Sequence, residues 1–194
     1  TTAPITMPKL IAVTGHSGAG KTTAVNFIAH QLNGHVVYVG QLIANEVARR
    51  ELAPGPESER IVRLDLRAQH GMASLAAIAC SAIQNNPDAG IALVDAVYNL
   101  EEFEYYRNQY DKDAQLLSIQ ASFEIRAERV ASRMEKPLTR EELLKRDDLE
   151  RIILRTDVAM TAATLHLDNE GSMAQFERAL FNLCEVISKT AGRG

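Results

Sequence analysis

Eight consecutive residues, Gly15-His-Ser-Gly-Ala-Gly20-Lys21-Thr22, carry the plainest chemistry in this sequence: their spacing is G-x-x-x-x-G-K-[S/T]. Glycines at these places let the backbone wrap with successive N–H groups pointing inward. Such a nest, set at the positive end of a helix, grips phosphate oxygens. The candidate holders of a nucleoside triphosphate are Gly15, Ser17, Gly18, Ala19, Gly20, Lys21, Thr22 and Thr23. Lys21 would bring a movable charge to the β- and γ-phosphates, and the Thr22 hydroxyl would ligate a Mg²⁺ ion that shares their charge. Asp95, at the end of the apolar run Ile91-Ala-Leu-Val-Asp95, is placed to reach that metal or its waters; its alternative role is to cap the next turn.

A phosphate loop needs a strand before it and a helix after it, and the sequence supplies both. Lys9–Thr14 reads as a short buried strand, and Ala24, Val25, Phe27, Ile28 and Leu32 give helical spacing from about Thr22 to Asn33. His35–Val39 is a second strand closed by Gly40. No good strand follows until Gly90. Three helices fill the gap instead, at about 41–52, 58–70 and 72–84, with Pro54-Gly55-Pro56 and Gly71 as breaks. Later strands are expected at 91–95, 115–120 and 164–167. Helices are expected from Asn99, from Phe123 to Met134, from Thr139 and from Ser172, with capping-box spacing at Asn99/Glu102 and Thr139/Glu142. Alternation of this kind predicts an α/β fold with a central parallel sheet of about five strands, flanked by helices.

The chain has 194 residues and a formal charge of −4, which suits one domain and supplies no basic field for nucleic acid. Residues 1–8 are expected to be a flexible segment, and 9–194 a single domain. No apolar run approaches a membrane span, and the first residues lack a signal-peptide layout, so a cytoplasmic protein is expected. Cys80 and Cys184 read as core thiols, none of the five histidines forms a metal pattern, and His16 reads as a plain loop position.

The order of phosphate loop, Gly40-Gln-Leu-Ile, helical arm, Val94-Asp95-Ala96 and a late arginine-rich helix resembles the P-loop nucleoside monophosphate kinases and dephospho-coenzyme A kinases. A further resemblance, to an uncharacterised and largely archaeal family of predicted nucleotide kinases, rests on several segments. These are Leu64-Asp-Leu-Arg67 with Gly71, Asn99-Leu-Glu-Glu-Phe-Glu-Tyr-Tyr, Arg146-Asp147 and Asn169-Glu-Gly-Ser172. The resemblance implies an acceptor-binding arm over about 41–89 and a mobile lid over about 134–146. It also implies lid arginines at Arg129 and Arg133, with Arg140 or Arg146 as further members, and an adenine contact at Asn169 and Gly171. The chain departs from the family pattern after strand three, where Asp-Gly followed shortly by arginine is replaced by Asp95-Ala-Val-Tyr98. Tyr98 can still stack on a base or hydrogen-bond a phosphate.

The acceptor can be approached through charge. Transfer to a hydroxyl usually needs a base, and Val39-Gly40-Gln41-Leu42 offers no carboxylate where dephospho-coenzyme A kinases carry one; the alternative is a base supplied from elsewhere by Asp65 or Asp95. An acceptor phosphate is already nucleophilic and needs positioning and neutralisation. Arg60, Arg63 and Arg67 share a helical face; Arg67, then Arg63, are the candidates to hold that phosphate, the alternative being a solvated face paired with Glu57, Glu59 or Asp65. Arg126, Arg129 and Arg133 form a second face, with Glu124, Glu128 and Glu135 as alternative partners. The expected activity is ATP- and Mg²⁺-dependent phosphotransfer to a small nucleotide-like acceptor, with Lys21, Asp95 and Arg133 at the reacting centre. A nucleoside monophosphate ranks first and dephospho-coenzyme A second; the rival from another class is a non-catalytic ATP-binding regulator. A small-molecule acceptor is the only partner expected, with neither nucleic acid nor membrane.

Overall fold

The computed structural model describes residues 9–191, so the expected flexible segment at 1–8 lies outside the described residues. Five parallel strands form the sheet: β1 Leu10–Thr14, β2 His35–Tyr38, β3 Ala92–Asp95, β4 Ala114–Gln120 and β5 Leu165–Asp168. Their order is β2-β3-β1-β4-β5. β1 pairs with β3 on one side (Val13 opposite Asp95) and β4 on the other (Thr14 opposite Ser118). Because every pairing is parallel, all five carboxyl ends lie along one edge of the sheet. From β1 the chain crosses to the edge strand β2, returns to β3 beside β1, and then passes to β4 and β5 on the other side; a crevice opens above the carboxyl end of β1 where the winding changes sides. The phosphate loop begins there, directly after Thr14.

The central strands β1, β3 and β4 are buried on both faces, as a sheet covered on both sides requires, while the edge strands β2 and β5 are more open. Leu10, Ala12, Val94 and Leu116 face one core, shared with α2 (Val39–Arg49), α3 (Pro56–His70), α4 (Ser74–Gln84) and α5 (Leu100–Tyr110). Ile11, Val13, Leu93 and Leu117 face the other, closed by α1 (Lys21–Leu32) and α9 (Met173–Ala191). Cys80 and Cys184 are buried free thiols, one in each core.

Three helices fill this segment as expected, with several of their ends displaced by two or three residues. α2 starts at Val39, directly after β2, so Gly40 lies in the first helical turn instead of ending the strand. Val39 is buried, and turning the chain there sinks it into the core while Gly40 meets no neighbour. α6 (Phe123–Ala131) ends before Met134, and an irregular segment leads to α7 (Arg140–Leu149). Thr139 and Glu142 close a reciprocal capping box at the start of α7. A π-helical turn, Glu150–Leu154, then connects to α8 (Thr156–Ala162), which the sequence reading did not anticipate. Among the described residues no helix is long and apolar enough to cross a membrane.

Candidate functional site

The loop between β1 and α1 has the backbone its glycines were expected to permit. Gly15, Gly18 and Gly20 have φ of 145°, 87° and 106°, a region that side chains with a Cβ rarely adopt. The space is as restrictive as the dihedrals. A Cβ on Gly15 would collide with the Ile119 carbonyl, and one on Gly20 would lie 2.6 Å from Asn169 Nδ2. Gly15→Ala is therefore expected to cost about 2–4 kcal/mol through combined strain and backbone collision. The midpoint of urea unfolding measures this; an unchanged midpoint would contradict a rigid loop.

Lys21 lies at the centre. Its Nζ donates to the carbonyls of Gly15 (2.7 Å) and His16 (3.1 Å), and the Tyr98 ring centroid is 5.8 Å away. Burial lowers its pKa to about 8, against the pull of Glu150 and Asp95, while Arg146 and Arg133 push in the same direction as burial. Thr22, one residue on, donates its hydroxyl to Asp95 Oδ2 at 2.6 Å, bringing together two oxygens of the hard, metal-binding kind. Asp95 therefore turns to the loop helix and does not cap the following turn. That cap is Asn99, whose side chain accepts from the Glu102 N–H, while Glu102 accepts from Tyr98 N–H instead of closing the box.

Positive charge gathers around this centre. Partial loss of solvation, and then the neighbouring Arg146, lower the pKa of Arg133, whose guanidinium pairs with no carboxylate among the described residues. Arg146 faces Tyr98 and Glu150; burial works against its charge, but these two neighbours outweigh it and raise the pKa. The carboxylates nearby are already engaged. Asp95 takes Thr22, Glu150 takes His16 and Arg146, and Glu102 takes Tyr98 N–H and Arg67.

The candidate arginines of the arm separate by direction. Arg60 turns outward and pairs with Glu57, the solvated-face alternative. Arg63 donates to Glu59 at 3.3 Å while still influencing Tyr98. Arg67 is drawn inward, its side chain only 12% exposed, donating to Glu102 at 3.3 Å with a buried Nε that has no partner. Across the cleft, Lys136 of the segment after α6 reaches Glu59 at 3.6 Å, so the expected lid touches the arm.

The second arginine face also divides. Arg126 is buried and forms a bidentate pair with Asp147 (2.9 and 2.6 Å) while donating to the Ser17 carbonyl at 3.1 Å; it ties the phosphate loop to α7 and does not belong to a lid. Arg129 donates to Asn169 Oδ1 and the Gly171 carbonyl, and Asn169 Nδ2 donates to the Ala19 carbonyl at 2.8 Å. Arg129 and Asn169 thus flank the loop from the β5 side. Ala96 buries its methyl in the core beneath α1.

His16 is the residue whose role sequence reasoning missed. Its Nδ1 lies 3.0 Å from Glu150 Oε2 and its Nε2 2.9 Å from Asp157 Oδ1. The only sequence signal for its partners is the spacing Arg146, Asp147, Glu150, which puts three charged groups on one side of a helix.

A family model described as an AAA domain matches residues 14–152. A UPF0200 protein of Methanosarcina barkeri is 30% identical over 183 residues, covering 93% of this chain and 95% of the relative. Among solved structures, TT1252 from Thermus thermophilus superposes with a TM-score of 0.63 at 22% identity, over 92% of this chain and 97% of that one. A shikimate kinase from Bacteroides thetaiotaomicron superposes with a TM-score of 0.60 at 14% identity, over 92% and 98%. The structural likenesses show the fold, a P-loop kinase-like one, and the near end-to-end match to the archaeal relative adds the family: this chain belongs to UPF0200.

Proposed function

We propose that this protein is a nucleotide kinase that moves the γ-phosphate of ATP to a small acceptor carrying a phosphate of its own, a nucleoside monophosphate first among them. One observation carries the reading: the cleft above β1 has more positive than negative charge to offer a ligand. Lys21, Arg133 and Arg146 crowd together there, with Arg67 and Arg63 on the arm side. Arg146, Arg67 and Arg63 pair with Glu150, Glu102 and Glu59, so Lys21 and Arg133 are the cations left without a carboxylate among the described residues. A cleft built this way favours polyanions. Glu102 and Glu150 are held by arginines, and Asp95 lies against Thr22, which favours an acceptor that brings its own anionic nucleophile.

In this reading the loop amides and Lys21 hold the β- and γ-phosphates. Thr22 and Asp95 fit a Mg²⁺ ion, their two oxygens already adjacent; when bound, the metal would neutralise developing charge between the β- and γ-phosphates. Arg133 and Arg146 face the transferring phosphoryl group, while Arg67, with its free Nε, and Arg63 orient the acceptor phosphate, and Tyr98 forms the wall between them. Arg129 and Asn169 border the donor nucleotide. Contact between Lys136 and Glu59 draws the lid over the cleft and would exclude water during transfer.

The test is ADP release across a panel of nucleoside and deoxynucleoside monophosphates and dephospho-coenzyme A, to which the shikimate kinase that shares the fold adds shikimate. Acceptor-dependent turnover with a monophosphate, at least about tenfold above any hydroxyl acceptor in kcat/KM and lost in Lys21→Ala, is expected. Preference for a hydroxyl acceptor would reject the acceptor class. Tight ATP binding without turnover would favour a regulator.

A further inference from the structure

The phosphate loop is fastened to the lid side of the cleft by an unusual hand. His16 lies within the loop, and both of its ring nitrogens face carboxylates, Glu150 at 3.0 Å and Asp157 at 2.9 Å, with Asp147 Oδ1 a further 4.0 Å from Nδ1. A neutral imidazole has one N–H and one lone pair, so only the protonated ring satisfies both contacts. Hydrogen bonding to Glu150 raises the His16 pKa against the effect of burial, with Asp157 and Asp147 helping. The other charges packed around the ring are Arg126 on α6, Arg146 on α7, Arg151 on the π-helical turn and Lys21 on α1. They are paired respectively with Asp147, Glu150, Asp157 and the loop carbonyls.

The same three side chains, His16, Asp147 and Glu150, are close enough together to suggest a metal site. The donor set argues otherwise: both Asp147 oxygens accept from Arg126 and one Glu150 oxygen accepts from Arg146, so a divalent ion would have to displace two guanidinium groups.

We propose that His16 is a positioning residue whose imidazolium clasps Glu150 and Asp157, fastening the phosphate loop to the helix that presents Arg146 to the cleft. Glu150 is the shared piece, with Oε2 on His16 and Oε1 on Arg146. When the ring loses its proton, one carboxylate meets a lone pair and the clasp loosens. Arg146 keeps its pair with Glu150, but that carboxylate is no longer held against the loop. The clasp is complete at pH values below the raised His16 pKa and opens as pH rises through it. Its effect on phosphoryl transfer rests on the kinase reading above; its existence does not.

Imidazole ¹H–¹⁵N spectra of the intact protein test the first part. The wild-type His16 midpoint is expected above 6.5, with both nitrogens protonated below it, and Glu150→Gln is expected to lower it. Hydrogen exchange tests the second. After correction for intrinsic rates, the amides of α7 should exchange about tenfold faster at pH 9 than at pH 6 in the wild type, about 1.4 kcal/mol of local opening. They should exchange fast at both values in His16→Asn and slowly at both in His16→Lys, whose ammonium stays charged. A purely structural histidine would not be rescued in this pH-independent way. A midpoint at or below 6.5, or α7 exchange indifferent to pH and to both variants, overturns the proposal. Neither measurement needs a nucleotide, so failure to bind ATP would sink the kinase reading and leave the clasp standing on its own data.

Discussion

Lys21→Met should abolish MgATP binding and turnover yet leave the fold at least as stable as the wild type. The ammonium is buried, and burial pulls its pKa from 10.5 to about 8. At ~1.4 kcal/mol per pH unit, holding that charge costs on the order of 3 kcal/mol near neutrality. Methionine has similar length and no charge to desolvate. It leaves the Gly15 and His16 carbonyls without their donor, a loss of about 1 kcal/mol each. The two effects nearly cancel, with the balance toward stabilisation. Binding is another matter, because a charge poised on phosphates in a water-poor site is worth about 3–4 kcal/mol, or more than a hundredfold in turnover. Stability should respond to pH in a defined sense. The folded protein releases the Lys21 proton near 8 and the unfolded chain near 10.5, so the unfolded state binds more protons in that window. Wild-type stability should therefore rise relative to Lys21→Met as pH increases from 8 toward 10.5. Calorimetry with MgATP and unfolding of both proteins across this range decide the matter. Retained ATP binding, or a variant that melts many degrees early, would show Lys21 to be part of the scaffold.

That division between scaffold and site also explains what could be read from sequence. The loop was legible because its chemistry depends on covalent neighbours: three glycines and a Lys-Thr pair at fixed spacing after an apolar strand. The central strands were legible because a sheet covered on both faces demands apolar runs: β1 and β3 supply them, and β4 does so with Gln115 and Ser118 as its polar interruptions. Spacing found the arginine face of α3 but not its tilt. Arg60 and Arg67 are seven residues apart on one stripe, yet one meets Glu57 in solvent and the other reaches Glu102 of α5 in the interior, a partner 35 residues away that spacing along α3 cannot show. The His16 clasp was invisible, its partner Glu150 standing 134 residues away in the sequence. Gly40 misled because a glycine after a strand usually marks a stop, whereas here the demand to bury Val39 starts a helix at once. α8 was missed because Arg155, in a left-handed conformation with φ of 55°, separates it from the preceding turn without any glycine or proline to announce the break.

Arg133→Ala should lower kcat by about a thousandfold, the range measured for arginines that meet a transferring phosphoryl group, while MgATP affinity changes less than about tenfold. The expectation comes from charge that the surrounding carboxylates leave unbalanced. Arg133 sits beside Arg146 and within the field of Lys21, and its pKa is lowered by partial burial and by Arg146. Nothing in such a position stabilises the fold, so alanine should leave the melting temperature unchanged. The interaction gains value only when negative charge arrives, and most of all when it spreads over the oxygens of the group in flight. Arg129→Ala is the control, because Arg129 is bound to Asn169 and the Gly171 carbonyl beside the loop. Its loss should loosen that flank and weaken ATP binding before it slows transfer. Separate kcat and KM values for the two variants, with the preferred acceptor saturating, distinguish the roles. If Arg133→Ala keeps kcat within tenfold of the wild type, the crowded cations are holding substrate and not the transferring group, and the transfer role must pass to Arg146.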